Sequence, residues 1–190
     1  NSLHLLPNAL DEAWLKRGAR GSTELRPIDV LVQARKCSPY VLNQLVPALR
    51  SSGLIVEVQT GWVEDLVDLF NHSTVYIYDS AEYWRSRGVS EGFGLPPLEA
   101  LASGCVVFSS FNHALSDYAN PGLTTHQIGC SSLVFDQQRI ISAVNAPQQW
   151  SADPFVIDRL LDDCSEKMLI SRWKTSLTNL DALNALQMDG

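Results

Sequence analysis

Two segments of this sequence consist almost entirely of apolar and aromatic residues, and they restrict the possible folds more than any other feature. They are residues 74–78 and 105–108. A strand that is apolar on both faces has to be covered on both faces, which is the environment of a strand in a parallel sheet. Residues 28–33 and 54–59 have the length and the apolar content of two more strands. We therefore expect a parallel sheet that contains these four strands.

Helix signals lie between the predicted strands. Ser38 and Pro39 are the residue types of an N-cap and a first helical position, although Pro47 should kink or shorten the helix that follows. Acidic residues at 64–65 begin a second helix, and a third is predicted within residues 96–104, between a proline pair and a glycine. Alternating strands and helices indicate an α/β fold, a three-layer, Rossmann-like, doubly wound parallel sheet.

The last forty residues have a different pattern. Two apolar series recur there at helical spacing: Ile157, Leu160, Leu161, Cys164 and Met168, then Trp173, Leu177, Leu180 and Leu183. We predict a Rossmann-like domain over residues 1–150 and a C-terminal helical tail over residues 151–190. An apolar stripe on such a tail needs a partner surface.

Composition excludes several classes of protein. The 190 residues are 45% hydrophobic and 18% charged, with a formal net charge of −7, which is typical of a soluble globular domain. An acidic chain is unsuited to nucleic acid, whose recognition depends on a basic surface. No apolar run reaches the roughly 18 residues of a membrane span, and residues 1–10 lack the pattern of a secretory signal. Any contact with a membrane is therefore expected to be peripheral.

The cysteines are less informative about function than the composition is. Cys37, Cys105, Cys130 and Cys164 form no CxxC pair, so a structural zinc site and a redox dithiol are disfavoured. Cys105 lies in an apolar run and is expected to be buried as a small hydrophobic residue. Unpaired thiols fit a reducing compartment, which predicts a cytoplasmic location, with contact to the inner face of a membrane left open.

The unusual chemistry of the chain is concentrated in loops that follow the predicted strands, where open parallel sheets bind their ligands. The densest segment runs from residue 91 to residue 104 and reads EGFGLPPLEALASG. Gly92 and Gly94 precede a helix start, so backbone amides can approach a diphosphate closely. Glu91 and Glu99 would repel phosphates and are better suited to accept hydrogen bonds from hydroxyl groups. A nucleotide sugar meets both conditions; alternatively, Glu99 only complements the helix dipole and the spacing is coincidental.

From Ser90 to Val107 the sequence resembles, nearly residue for residue, the signature of the retaining GT-B glycosyltransferases of the group 1 or family 4 type, the E-x7-E motif. Fainter agreement extends from Leu6-Pro7-Asn8 to about Asn145. The resemblance implies the C-terminal, donor-binding Rossmann-like half of a two-domain enzyme. It also implies no metal and no cofactor, and the chain has no DxD triplet.

The resemblance assigns roles to individual residues. It implies that Glu91 contacts the hydroxyls of the donor sugar, which makes Glu91 the candidate catalytic residue, and that Glu99 contacts the ribose. Four residues are implied to lie against the donor sugar and diphosphate through their backbone: Gly92, Phe93, Gly94 and Leu95.

In that family an arginine and a lysine after the first strand neutralise the diphosphate. Arg35 and Lys36 lie at this place, but they are adjacent and Ala34 precedes them, whereas the family usually has glycine there and a spacer between the two basic residues. We expect Arg35 to be the stronger phosphate ligand. The family holds the base with the loop at residues 60–63, where Trp62 either stacks on the base or packs in the core.

Two other loops depart from the family pattern. Residues 81–89 look like an insertion with two aromatic residues and a basic cluster, which forms a lid, faces an acceptor or a lipid headgroup, or is an irregular surface loop. Residues 109–114 read SSFNHA where many relatives are rich in glycine.

The sequence therefore predicts the donor-binding domain of a glycosyltransferase of the hexosyltransferase type. The full enzyme would transfer a sugar from a nucleoside diphosphate sugar to an acceptor hydroxyl with retention. Its partners would be that donor and an N-terminal GT-B domain of the same chain, toward which residues 151–190 would pack. This fragment alone would bind nucleotide without turnover, because the acceptor domain is missing. The alternatives are a non-catalytic sugar-nucleotide or glycan-binding module, a GT-B-type epimerase or phosphorylase, and a dinucleotide oxidoreductase.

Overall fold

The computed structural model describes residues 6–22, 24–130 and 132–188, with side chains described up to residue 183. Its centre is a parallel sheet whose five strands lie in the order β2-β1-β3-β4-β5. The strands are β1 (Ile28–Gln33), β2 (Val56–Gln59), β3 (Ser73–Tyr78), β4 (Val106–Ser109) and β5 (His126–Gln127). The doubly wound α/β fold predicted from the sequence is confirmed.

Within the described residues, eight α-helices connect and flank these strands. They are α1 (Glu12–Arg17), α2 (Val46–Ser51), α3 (Leu66–Asn71), α4 (Ala81–Arg85), α5 (Leu95–Ala102), α6 (Leu133–Asn145), α7 (Pro154–Asp163) and α8 (Glu166–Met188). Short 3₁₀ turns span His113–Asp117 and Pro147–Gln149. The predicted start signals are used, since the Asp65 side chain accepts a hydrogen bond from the Asp68 amide at the start of α3, and Asp153 does the same for Phe155 at α7.

The predicted interruption at Pro47 is a change of helix type. The residues before α2, Val41–Leu45, form a π-helical turn, and α2 begins only at Val46. Proline has no backbone N–H, so it cannot donate the usual bond to the carbonyl four residues earlier. The wider turn accommodates this missing bond within one continuous helical segment.

Alternate residues of the same strands face two separate hydrophobic cores. On one face Val30, Val32 and Ile77 pack against α2 and α6. On the other face Leu31 and Tyr76 pack among α1, α3, α5 and α7. Both faces of the sheet are therefore covered by helices, which explains the uninterrupted apolar strands in the sequence.

The strand order creates a crevice at one edge of the sheet. From β1 the chain passes to β2 on one side, and it then crosses to β3 on the other side of β1. The loops that leave the carboxyl ends of β1 and β3 consequently diverge. Such a topological switch point is where open α/β sheets bind ligands.

The C-terminal helices differ in how far they are buried. On α7, Ile157 and Leu161 are buried against the core around α5, and just before α1 the Leu10 amide donates a 2.8 Å hydrogen bond to the Cys164 carbonyl at the end of α7. On α8 the large apolar side chains are about half exposed: Ile170, Trp173, Leu177, Leu180 and Leu183. In the described part of the chain, no helix combines the length and the hydropathy required to cross a membrane.

Candidate functional site

Glu91 is the centre of a cluster of polar side chains in the crevice, although only 7% of it is exposed. Its Oε2 atom accepts three hydrogen bonds, from the Tyr78 hydroxyl at 2.6 Å, the Trp84 indole N–H at 2.6 Å and the Ser80 hydroxyl at 3.1 Å. A buried carboxylate needs such donors because it has lost its hydration. Glu91 therefore joins the end of β3 to α4.

These contacts set the protonation states of the cluster. Burial raises the pKa of Glu91, but hydrogen bonds from Tyr78 and Trp84 and the charge of Lys36 outweigh burial, so the pKa lies below its ordinary value. Burial, together with the hydrogen bond to Glu91, raises the pKa of the Tyr78 hydroxyl. At neutral pH Glu91 is thus a carboxylate and Tyr78 a neutral donor.

Lys36 is the basic residue that reaches this cluster. Its Nζ atom lies 3.4 Å from Glu91 Oε1 and 4.5 Å from the centre of the Trp84 ring, which stabilises the ammonium group from two sides. The backbone of Lys36 has φ +69°, a left-handed conformation that costs a lysine about 1 kcal/mol. Among the described residues, Lys36 is the single side chain that hydrogen-bonds Oε1, so this oxygen has room for another donor.

The segment at residues 81–89, expected as a lid or an irregular loop, begins with the short helix α4. The Ala81 amide donates a 3.1 Å hydrogen bond to the Ser110 hydroxyl at the end of β4, and Trp84 bonds Glu91. The two contacts fix α4 along one side of the cluster. Arg87 is exposed and stacks on Tyr83 with its guanidinium 3.6 Å from the ring centre.

The glycines after Glu91 have distinct roles. Gly92 is exposed, and no atom lies within 4 Å of where a Cβ would be. Gly94 has φ +79° and caps α5, and its carbonyl accepts a hydrogen bond from the Tyr118 hydroxyl. The Phe93 ring is buried against Tyr118, with the ring centres 5.4 Å apart. The core thus holds Phe93 and Gly94, while Gly92 faces solvent.

The start of α5 offers fewer amide donors than most helices. Its second and third residues are Pro96 and Pro97, which have no N–H. An anion at this terminus could be bound only by the amides of Leu95 and of the loop before it.

Glu99 lies further along α5 and is partly buried. Burial, reinforced by the charge of Asp11 at the N-cap of α1, raises the pKa of Glu99 to about 7. The charge of Glu99 also contributes to the raised pKa of Tyr78, so both glutamates act on the same tyrosine.

Arg35 and Trp62, like Glu99, make no hydrogen bond or ion pair with the Glu91 cluster in the described part of the chain. Arg35 is exposed at the end of β1, whereas its neighbour Lys36 points to Glu91. Trp62, in the loop after β2, is 85% exposed, so the interpretation that it packs in the core is wrong. An exposed indole at the carboxyl edge of the sheet is free to stack on a planar ligand.

The sequence analysis selected the loops that form this cluster but did not single out several side chains within them. Tyr78 is the last residue of β3, and Ser80 and Trp84 follow in the loop that the carboxyl-end rule identifies. Asp79 is also buried there, and it accepts a 2.5 Å hydrogen bond from the hydroxyl of Ser38, in the loop after β1. A polar side chain directly after an apolar strand was the available signal for these residues.

The cysteines play no part in this cluster. All four are free, and Cys105 is 4% exposed, as its apolar run predicts. Its thiol lies against the carbonyls of Phe70 and Ser73. Over the part of the chain that the structure describes, no three His, Cys, Asp or Glu side chains are grouped to hold a metal ion.

The fold is similar to part of the chain in two solved structures. The pneumococcal O-GlcNAc transferase GtfA, in its complex with UDP and GlcNAc, is similar in structure with a TM-score of 0.58 at 15% identity. The GtfA/B complex gives a TM-score of 0.59 at 14% identity. Each similarity covers 85% of this chain but only 38% of the other, so the chain spans well under half the length of these proteins. No protein-family model and no curated protein sequence matches the chain.

Proposed function

We propose that this chain is the donor-binding domain of a glycosyltransferase and that it binds a nucleoside diphosphate sugar. One observation carries the proposal: Lys36 and Glu91 are paired at the switch point between β1 and β3, directly before the exposed Gly92. A cation and free backbone amides are suited to bind a diphosphate. A carboxylate oxygen that can accept a further hydrogen bond is suited to bind a sugar hydroxyl.

The diphosphate would lie between Lys36 and the backbone amides of Gly92, Phe93, Gly94 and Leu95. Lys36 is already directed into the crevice, which favours it over the exposed Arg35 as the phosphate ligand. As the bond to the sugar breaks, negative charge grows on the departing diphosphate. Fixed positive groups stabilise that charge more than they stabilise the bound donor, and this difference lowers the barrier.

The remaining parts of the donor have partners along the same edge. Glu91 Oε1 would accept a hydrogen bond from a sugar hydroxyl, which makes Glu91 the candidate catalytic residue. Glu99 would accept hydrogen bonds from the ribose, and Trp62 would stack on the base. The pKa of Glu99, about 7, means that its acceptor strength would change within the physiological pH range.

The complete protein, in this proposal, transfers a hexose with retention to an acceptor hydroxyl. An N-terminal GT-B domain of the same chain would supply the other wall of the donor site, and the apolar side chains exposed on α8 support a helix that packs against another unit. The 190-residue chain alone would bind donor without turnover. We assign it to the cytoplasm, with membrane contact only at the surface.

Calorimetry with UDP tests the proposal. We expect binding, and we expect Lys36→Met to weaken it about tenfold or more because an ammonium–diphosphate contact is lost. Arg35→Met is the matched control, since it removes an adjacent exposed cation and should change the affinity only slightly. Absence of binding to UDP, GDP and ADP would overturn the proposal, and equal losses in the two variants would contradict the assignment of Lys36.

One observation favours a second candidate, a non-catalytic sugar-nucleotide-binding module. All three donors to Glu91 Oε2 are protein groups, which is the arrangement of a structural carboxylate. The full-length protein with labelled donor separates the two functions. A transferase releases nucleoside diphosphate and labels an acceptor, whereas a binding module returns the donor unchanged.

A further inference from the structure

A second cleft opens beside the Glu91 cluster, and the proposed donor site does not use it. It lies between the carboxyl end of β4 and the segment that leads to β5, and its volume is about 230 Å³. We call it the β4 cleft. The lining residues that matter here are Ser109, Phe111, Asn112, Leu115, Asn120 and Gln127.

Three nearly buried polar side chains line this cleft, Ser109, Ser110 and Asn112, and the Ser110 hydroxyl already accepts a hydrogen bond from the Ala81 amide. Ser109 is 5% exposed and Asn112 is 7% exposed. Asn112 Oδ1 accepts a 3.3 Å hydrogen bond from the Ala114 amide, which orients the side chain and leaves its Nδ2 group as a donor. Among the described residues, neither the Ser109 hydroxyl nor Asn112 Nδ2 has a protein hydrogen-bond partner. In the described residues, the polar side-chain atoms that are fully buried without a partner are Ser103 Oγ and Thr125 Oγ1, so the two cleft atoms remain accessible and can bind a polar ligand.

The other walls define the chemistry of that ligand. Phe111 is 57% exposed, and its ring is held edge to face against His113 with the centres 5.6 Å apart. Asn120 and Gln127 contribute amides, and Leu115 forms an apolar floor. No charged side chain is among the lining residues that the structure describes, which disfavours an ionic ligand. Hydroxyl and amide groups around one exposed aromatic ring suit a molecule with an apolar face and a rim of hydroxyls.

We propose that the β4 cleft binds a neutral sugar ring, with one face against Phe111 and its hydroxyls bonded to Ser109 and Asn112. The volume is smaller than that of sites for drug-sized ligands and suits a single ring.

The cleft adjoins the Glu91 cluster. Ser109 pairs with Tyr78 across β3 and β4, and the Ser110 hydroxyl, which also lines the cleft, binds the first residue of α4. A sugar held here would therefore lie beside the proposed donor site, in the position of an acceptor sugar. That role rests on the proposed function, whereas binding of the sugar does not.

Saturation-transfer NMR tests the binding directly. The chain is mixed with glucose, galactose, mannose and GlcNAc in turn, and the signal transferred from protein to sugar is measured with and without saturating UDP. We expect signal from at least one sugar, and we expect that UDP does not displace it.

Three variants assign the signal to the β4 cleft. Phe111→Ala should weaken binding about tenfold because the stacking surface is lost. Asn112→Asp keeps the acceptor for Ala114 but removes the donor group, and it should weaken binding by about two- to tenfold. Phe155→Ala, which removes a 73% exposed ring on α7, is the control and should leave binding unchanged. Thermal unfolding of each variant verifies that it is folded.

The outcomes separate this proposal from the proposed function. No transferred signal from any of the four sugars, or a signal that Phe111→Ala and Asn112→Asp leave intact, overturns the β4 cleft as a sugar site. Displacement by UDP also overturns it, because the sugar then occupies the donor site. If the chain binds a sugar but not UDP, the sugar site in the β4 cleft is supported and the donor site is contradicted. If it binds UDP but no sugar, the donor site is supported and the sugar site in the β4 cleft is contradicted.

Discussion

Gly94 occupies a position that no larger residue fits. Its φ of +79° is unfavourable for side chains, and a Cβ would lie 2.2 Å from Leu115 Cδ2. We expect Gly94→Ala to lower the free energy of unfolding by about 2–4 kcal/mol in urea denaturation. Gly92→Ala is the control, because nothing lies within 4 Å of that site, and its effect should be under about 1 kcal/mol. Similar losses in the two variants would show that Gly94 is not tightly enclosed.

Trp84 affects Glu91 through one polar atom. Trp84→Phe keeps an aromatic ring for Lys36 but removes the indole N–H that donates to the carboxylate, so we expect the pKa of Glu91 to rise. The lost bond to a charged group should lower the free energy of unfolding by about 1–3 kcal/mol. Carbon-detected NMR titration of the glutamate carboxyls measures the pKa. Trp62→Phe, at an exposed site, should leave it unchanged, and an unchanged pKa in Trp84→Phe would contradict the described contact.

At the scale of secondary structure, the sequence predicts the elements with strong patterns. The first predicted strand has the bounds of β1, and the other three differ from β2, β3 and β4 by at most two residues at either end. The strand β5 was missed because its two residues, His126–Gln127, contain no apolar run, and their pairing with β4 depends on tertiary contacts alone. The helix α4 was missed because its five residues give no periodicity to measure.

The candidate site was predictable to the level of loops. Glu91 and the glycines stood out because their residue types and spacing are unusual. The three donors to Glu91 did not, because Tyr78, Ser80 and Trp84 converge on one oxygen only after β3 and α4 are placed. The sequence also does not reveal that Lys36 points to Glu91 while Arg35 is exposed. The left-handed turn at Lys36, which directs one side chain inward and its neighbour outward, has no signature without a glycine.

Helix α6 is anchored at its first turn by one buried carboxylate. Asp136 is 1% exposed and accepts hydrogen bonds from the Tyr40 hydroxyl at 2.8 Å and the Gly129 amide at 3.0 Å. We expect Asp136→Ala to lower the free energy of unfolding by about 3 kcal/mol and Tyr40→Phe by about 1 kcal/mol, because the first leaves two donors unpaired. Urea denaturation measures both, with exposed Asp162→Ala on α7 as the control. Equal stabilities of Asp136→Ala and the control would contradict this anchor.

The stability of the whole molecule should depend on the ionisation of Glu99. Its pKa is about 7 in the folded chain against an ordinary value of 4.5, so the folded state holds a proton that the unfolded state has released between these pH values. The stabilisation from this group is complete below pH 4.5 and is lost as the pH rises to about 7.

Glu99→Gln removes that dependence. We expect the variant to exceed the parent chain in free energy of unfolding by about 1–2 kcal/mol at pH 8 and to differ less near pH 5. Urea denaturation across this pH range measures the difference. Glu57→Gln, at an exposed position on β2, is the control and should follow the parent curve. If Glu99→Gln follows it as well, the raised pKa is contradicted.

Because the four thiols are unequally buried, one cysteine can be labelled selectively in the unmodified chain. Cys130, just after β5, is exposed, whereas Cys105 and Cys164 are buried and burial raises the pKa of Cys37 to about 12. Thiolate availability and access govern alkylation, so a maleimide dye should attach to Cys130 first without any engineered change. A dye at that place reports on the carboxyl edge of the sheet, and a single fluorophore could therefore follow ligand arrival there in real time.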